Sequence, residues 1–230
     1  MKLVISCEHG GNEIPKQYEN AFKNNQAVLD THKGFDLGAL DLFHYLKPLS
    51  EYSKSSKISR LLIELNRSLH NKDLFSKFTQ PLSQSEKQVI IKNQYFPYRN
   101  EIESQISKLI FNGTTVLHIS IHSFTPILNG IERDCDIGIL YDSKKQIEKN
   151  LAKQLKSKIN SINPVYNVRF NYPYLGKADG FTTYLRTKFK ENYIGIEIEI
   201  NQSFSKEKRM DTDVKKTVFS AVKELITPKS

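Results

Sequence analysis

Two stretches decide how this chain is read: Lys2-Leu-Val-Ile-Ser-Cys-Glu-His-Gly-Gly-Asn12 and Thr115-Val-Leu-His-Ile-Ser-Ile-His-Ser-Phe124. Each begins as an apolar, β-branched run and breaks into polar groups, glycine or a proline turn. That is the pattern of a buried strand meeting a loop. In an open α/β sheet, ligands sit beyond the carboxyl ends of the strands. His9 and His122 are delivered to such ends, where imidazole is a natural zinc ligand.

The rest of the chain alternates in the same way. Residues 36–47 have apolar groups at helical spacing, and Arg60-Leu-Leu-Ile-Glu-Leu65 reads as a second strand closed by Asn66-Arg67-Ser68. Residues 69–97 read as a polar excursion with a short helix near 84–92, followed by an amphipathic helix over 98–111 that stops at Asn112-Gly113. After the 115–122 strand come a strand at 136–141, a lysine-rich helix at 144–159 and a short strand at 166–170. The stretch 171–180 is a loop by its Pro, Gly, Asn and Asp content, and a short helix follows at 180–189. Tyr193-Ile-Gly-Ile-Glu-Ile-Glu-Ile200 reads as the last strand and 211–226 as a closing helix. Strands alternating with helices predict an α/β fold, a three-layer αβα sandwich around a mostly parallel or mixed open sheet. With no repeat or linker, residues 1–230 read as one domain.

Composition bounds the function. No run of about 18 apolar residues is present, so a membrane span is not expected. The N-terminus enters a strand at once, which leaves no room for a signal peptide. Two cysteines, Cys7 and Cys135, make no disulfide framework. A cytoplasmic protein is the expectation. The net charge of +9 admits nucleic acid as a partner. However, the lysines are mixed with glutamates on helices and loops, the pattern of a solvated face. A positive field also draws in small anions.

Side chains alternate across a strand, so His118, Ser120 and His122 share a face. His122 lies last and reaches the sheet edge, while His118, deeper, reads as a satisfied core histidine. Gly10-Gly11 after His9 allow close backbone approach; the plainer reading is a tight turn with an exposed histidine. Asp36, at a helix start, is either an N-cap or the acidic member of a His-Asp-His set with an open position for water, the pattern of a catalytic zinc. Asp30 and His32 are nearby alternatives. On the final strand Glu197 and Glu199 fall on one face among isoleucines, and either can serve as the proton-transfer group; Glu199 is nearer the strand end. Arg60, Arg67, Arg133 and Arg186 lie beside polar turns and are candidates for holding a substrate carboxylate. Cys7 with His9 offers a competing cysteine-amidase reading, against which stands the usual inertness of a cysteine on an apolar strand. A basic binding protein without catalysis is the non-enzymatic alternative.

Seven segments in order resemble the N-formylglutamate amidohydrolase family. They are Ser6-Cys-Glu-His-Gly-Gly-Asn-Glu-Ile-Pro15, His32-Lys-Gly-Phe-Asp-Leu-Gly-Ala39, Ser59-Arg-Leu-Leu-Ile-Glu-Leu-Asn-Arg-Ser68, His118-Ile-Ser-Ile-His-Ser-Phe-Thr-Pro126, Arg133-Asp-Cys-Asp-Ile-Gly138, Asn171-Tyr-Pro-Tyr-Leu-Gly-Lys-Ala-Asp-Gly180 and Gly195-Ile-Glu-Ile-Glu-Ile-Asn-Gln202. The family is similar to zinc carboxypeptidases and N-acetylmuramoyl amidases, which implies a phosphorylase/hydrolase-like fold. The resemblance implies zinc held by His9, Asp36 and His122, with Glu199 or Glu197 as acid/base. It implies a substrate carboxylate or amide met by Arg67, Arg133, Asn66 and Arg186. His9-Gly-Gly-Asn12 departs from the carboxypeptidase pattern by placing asparagine where a His-x-x-Glu ligand pair needs glutamate, which turns attention to Asp36. The expected reaction is hydrolysis of an amide in a small anionic N-acyl amino acid, N-formylglutamate or a relative.

Overall fold

The computed structural model describes residues 1–227. Its centre is a six-stranded sheet of β1 (Lys2–Cys7), β2 (Tyr52–Ser55), β3 (Val116–Phe124), β4 (Ile137–Leu140), β5 (Val168–Phe170) and β6 (Tyr193–Asn201). The spatial order is β2-β1-β3-β6-β4-β5. Strands β2, β1, β3 and β6 are mutually parallel, β4 runs antiparallel to β6, and β5 is parallel to β4. The sheet is therefore mixed and mostly parallel. Among the described residues no helix is long and apolar enough to cross a membrane.

Helices cover both faces. On one face Leu3, Ile5, Leu117, Ile119, Ile121 and the isoleucines of β6 pack against α1 (Ala39–Leu46), α4 (Gln146–Ile162) and α6 (Thr212–Ile226). Continuous apolar packing there explains the β-branched runs of the central strands. On the other face Val4, Val116 and Tyr193 meet α2 (Gln84–Ile90), α3 (Phe96–Phe111) and α5 (Phe181–Lys188). This second core fills only the amino-terminal half of its face. Towards the strand ends the same face carries Ser6, Ser120, His122, Glu197 and Glu199, all buried.

Several elements differ from the sequence expectation. Residues 60–65 are not a strand. In an extended strand Arg60 and Glu64 would stand roughly 13 Å apart, yet Arg60 Nη2 lies 2.6 Å from Glu64 Oε2. The segment is a coiled turn, held by Leu62 N donating to Ser59 O at 2.9 Å and Glu64 N to Leu74 O at 2.9 Å. Its apolar run is buried because Leu62, Ile63 and Leu65 enter the second core. The second strand in sequence is instead β2, whose Tyr-Ser-Lys-Ser has no apolar alternation because it is a half-buried edge. Lastly, α2 and α3 join through a π-helical turn at Ile91–Tyr95. Pro97 falls in the first turn of α3, where a missing N–H is tolerated, so it does not separate two helices.

Candidate active site

The polar half of the sheet face is set by strand register. His122 stands opposite Glu199 and Ser120 opposite Glu197 across β3 and β6, while Ser6 stands opposite Ser120 across β1 and β3. Period-two alternation thus puts these side chains on one side, with the isoleucines on the other. After β1 the chain turns through Gly10 and Gly11 against the backbone of residues 56–57. A Cβ at Gly10 would lie 2.8 Å from Ser56 O, and one at Gly11 2.4 Å from Lys57 O. Only glycine permits that approach, and it brings His9 over the strand ends. Asp36 is tied to the same place by its N–H donating to His9 O at 2.9 Å. It does not cap α1, whose N-cap is Gly38 with φ +77°; its carboxylate turns to the histidines.

His9 Nδ1 and His122 Nδ1 both approach Asp36 Oδ2, at 3.2 and 3.0 Å. The donor atoms of the three residues lie within 4.8 Å of one another, close enough to hold a metal ion together. Each imidazole is backed on its other nitrogen by a carboxylate. His9 Nε2 bonds Glu64 Oε1, and His122 Nε2 lies 3.2 Å from Glu8 Oε2 and 2.8 Å from Ser120 Oγ. A carboxylate behind a histidine fixes the tautomer that presents the other nitrogen to a metal. The backing groups are themselves held. Arg60 donates through Nε to Glu64 Oε2 at 2.8 Å and through Nη1 to Asp36 Oδ1 at 3.3 Å, while Tyr98 Oη donates to Glu8 Oε1 at 3.2 Å.

Charge in this site is unbalanced. Glu8, Asp36, Glu64, Glu197 and Glu199 are all buried, and the ion pairs they make with permanently charged groups come from Arg60. Against the cost of burial, His9, His122 and Arg60 hold the Asp36 carboxyl well below the usual carboxylate range. Glu8 is likewise held low by His122 and Ser120, and Glu64 by Arg60 and His9. In return, and again against burial, Asp36 and Glu8 hold the His122 ring well above the ordinary imidazole value. A site that draws a proton onto a buried imidazole demands positive charge, and a divalent cation at the Nδ1 atoms meets that demand.

Glu199 differs from the other four carboxylates. Its Oε2 is the buried side-chain oxygen that lacks any hydrogen-bond partner among the described residues. Burial, with Asp36 and Glu197 adding to it against the opposing pull of His122, pushes its carboxyl up to about 8. Glu197 instead accepts from Thr182 Oγ1. Both line a cleft of about 250 Å³, together with His9, Asp36 and His122.

The expected substrate groups divide. Asn66, Arg67 and Tyr174 line the cleft. Asn66 also accepts from Phe181 N at 2.6 Å, which fixes the start of α5. Arg67 Nη1 donates to Asn66 O and Asp179 O, both at 2.9 Å, while its Nε and Nη2 have no partner among the described residues. Arg133 is not among the residues that line the cleft but contacts one that is: its Nη1 donates to Tyr174 Oη at 3.3 Å, and its guanidinium carbon lies 5.2 Å from that ring's centroid. Arg186 does not line the cleft either. Its donors are spent on Glu148 Oε1 at 2.9 Å, Gly176 O at 2.6 Å and Gly195 O at 2.9 Å, which lock α5 to β6. Asp30 stays outside, paired with Asn12 and Lys208, and His32 is outside the cleft wall.

The structure separates Cys7 from His9. Cys7 packs with α1 in the core on the opposite face, and burial raises its thiol well above the usual value. The turn after Cys7 breaks the alternation that would have kept the two together. His118 is internal, bonded to Ser6 Oγ and Tyr193 Oη at 2.8 Å each. Glu8 and Glu64 are not among the groups expected from the sequence. Glu8 carries a signal, since it shares the alternating face of Ser6. Glu64 carries none, because its turn has the apolar run of a buried strand.

Comparison with known proteins places the fold and the family. A search of curated proteins finds no match. Among solved structures, a gene product of Agrobacterium tumefaciens superposes with a TM-score of 0.79 at 23% identity, covering 97% of this chain and 88% of that one. The N-formylglutamate amidohydrolase of Ralstonia eutropha gives a TM-score of 0.70 at 16% identity, covering 98% and 92%. At these identities the two structures establish the likeness of fold. The family defined as N-formylglutamate amidohydrolase matches residues 1–205, a span that holds every group of the site, and this chain belongs to that family.

Proposed function

We propose that the protein is a zinc-dependent amidohydrolase that cleaves the amide bond of a small N-acyl amino acid resembling N-formylglutamate. The observation that carries this is the convergence of two carboxylate-backed Nδ1 atoms on one Asp36 oxygen beside an unpartnered glutamate. The residues fit the ion: two imidazoles and one carboxylate form a three-donor set of the kind that leaves a zinc position open. When bound by His9, Asp36 and His122, zinc supplies a Lewis acid that polarises the amide carbonyl and eases ionisation of water.

The chain's own groups divide the remaining work. Glu199 is the proton carrier: its carboxylate takes a proton from the attacking water and passes it to the departing nitrogen as the C–N bond breaks. The products are a carboxylic acid and a free amine. A carboxyl pushed up towards neutral pH by burial suits both halves of that transfer. Glu197, held by Thr182, stands beside Glu199 and helps to raise its carboxyl, which then holds the proton taken from water until the nitrogen departs. Arg67 offers Nε and Nη2 to a substrate carboxylate in two parallel hydrogen bonds. Tyr174 and Leu175 supply a wall for the carbon chain. Both cysteines are free and buried, in keeping with a cytoplasmic enzyme acting on a soluble anion.

The test is a metal analysis of the purified protein followed by a screen of N-acyl amino acids with and without chelator. Stoichiometric zinc and chelator-sensitive release of amine support the reading. Activity that persists in the absence of bound metal overturns it.

A further inference from the structure

A second cavity lies on the far side of the Asn66-Arg67-Ser68 turn from the cleft. It measures about 290 Å³ and is lined by Leu69, Tyr95, Phe96, Arg99 and Tyr184, with Ser68, His70 and Asn100 completing it. That size sits at the small end of the range for small-molecule sites. Arg99 is 3% exposed, yet it forms no salt bridge among the described residues. Its guanidinium carbon lies 4.7, 4.5 and 4.6 Å from the ring centroids of Tyr95, Phe181 and Tyr184. Only Nη1 is hydrogen-bonded, to Leu65 O at 2.9 Å and Arg67 O at 3.2 Å.

The remaining donors, Nε and Nη2, form one edge of the guanidinium plane, the edge that meets a carboxylate through two parallel bonds. Neither has a partner among the described residues, and the nearby carboxylates are committed elsewhere. Asp179 Oδ2 accepts from Ser68 and Asn71, and Glu103 Oε2 accepts from Tyr184 Oη at 2.7 Å. A buried arginine kept without a counter-charge is costly to the fold. The three aromatic rings offset part of that cost but bring no counter-charge to the Nε–Nη2 edge.

From the unpaired guanidinium edge and its aromatic walls we infer that this cavity is a second ligand site, separate from the metal site, which takes a small free carboxylate with an apolar or aromatic body. The carboxylate pairs with Arg99 Nε and Nη2, and the body lies between Leu69, Phe96 and Tyr184. The site touches the cleft through one backbone group. Arg67 O is held by both Arg99 Nη1 and Tyr95 Oη, while the Arg67 side chain faces the cleft.

Benzoate and its neutral counterpart benzamide test the inference by calorimetric titration of the intact protein as purified. The expected result is one benzoate per chain, with benzamide binding at least tenfold more weakly. Arg99→Lys keeps the charge but loses the fork, and Leu69→Trp fills the mouth of the cavity without touching Arg99. Each should weaken benzoate at least tenfold, whereas His122→Ala, in the cleft, should leave it unchanged. Leu69→Trp also keeps the test informative if Arg99→Lys fails to fold. The inference is overturned if benzoate does not bind or benzamide binds equally well. It is equally overturned if binding is lost in His122→Ala but retained in Leu69→Trp. None of these outcomes depends on amidohydrolase activity.

Discussion

Glu199 and His122 are register partners on adjacent parallel strands, so the proposed proton carrier and one of the proposed zinc ligands are fixed to each other by main-chain hydrogen bonds. A site built on strands varies less than one built on loops. The isoleucines that alternate with Glu197 and Glu199 lock the strand from behind.

Glu199→Gln keeps the shape and removes the proton carrier. Turnover should fall about 10²–10⁴-fold, as for loss of a general acid–base, with zinc content and KM little changed. The same substitution should stabilise the metal-free protein. A carboxyl whose folded value is raised to about 8 binds its proton more tightly folded than unfolded. It therefore costs stability progressively as pH rises from the ordinary glutamate value to about 8. The gain from Glu199→Gln, measured by urea unfolding in chelator, should be larger at pH 8 than at pH 5. An equal gain at both pH values contradicts this.

Glu8→Gln and Glu64→Gln leave the three proposed metal ligands in place but neutralise the groups behind the histidines. Zinc affinity should drop roughly 10–100-fold for each, read by competition with a chromogenic chelator. An unchanged affinity removes them from the metal site.

Arg67→Ala should raise KM for a carboxylate-bearing substrate by about 10–100-fold, corresponding to a charge-assisted bond of roughly 1.5–3 kcal/mol. For the matching substrate with a neutral amide in place of that carboxylate, KM should barely move. Arg186→Ala gives the contrast. It breaks the buried pair with Glu148 and should lower thermal stability, with KM unaffected in whatever protein stays folded.

Cys7→Ala tests the nucleophile directly. The thiol packs behind the sheet, away from the cleft, so kcat should stay within about twofold while stability falls by roughly 1 kcal/mol for the small cavity. A collapse of activity in a folded variant would restore the cysteine mechanism.

His118 gives the fold an acid sensitivity of its own. Burial pushes its ring down to about 4, below the unfolded value near 6.5. The unfolded chain therefore binds the proton first, and stability is lost as pH falls from about 6.5 towards 4. The full contribution is about 3 kcal/mol. In His118→Gln the unfolding free energy should vary less between pH 7 and pH 5 than in the parent, measured by urea denaturation at both.

The sequence alone determined the layered α/β fold, five of the six strands, and that His118, Ser120 and His122 share one face of their strand as Glu197 and Glu199 share one of theirs, because two-residue alternation along a buried strand is a local property; the register that puts both sets on one side of the sheet is tertiary. It also put His118 in the interior, since depth along a strand can be counted. Only the tertiary structure decided what Arg60, Glu64, Arg67 and Arg186 do. Those roles depend on a turn at residues 60–65 that a run of apolar residues disguises as a strand, and on which distant carbonyl or carboxylate each guanidinium meets. The separation of Cys7 from His9 is of the same kind: one tight turn after β1 cancels the alternation, and nothing in the spacing records it. Glu8 and Glu64 stand behind the histidines because three separate segments fold to a common point, a relation between segments that no one of them encodes.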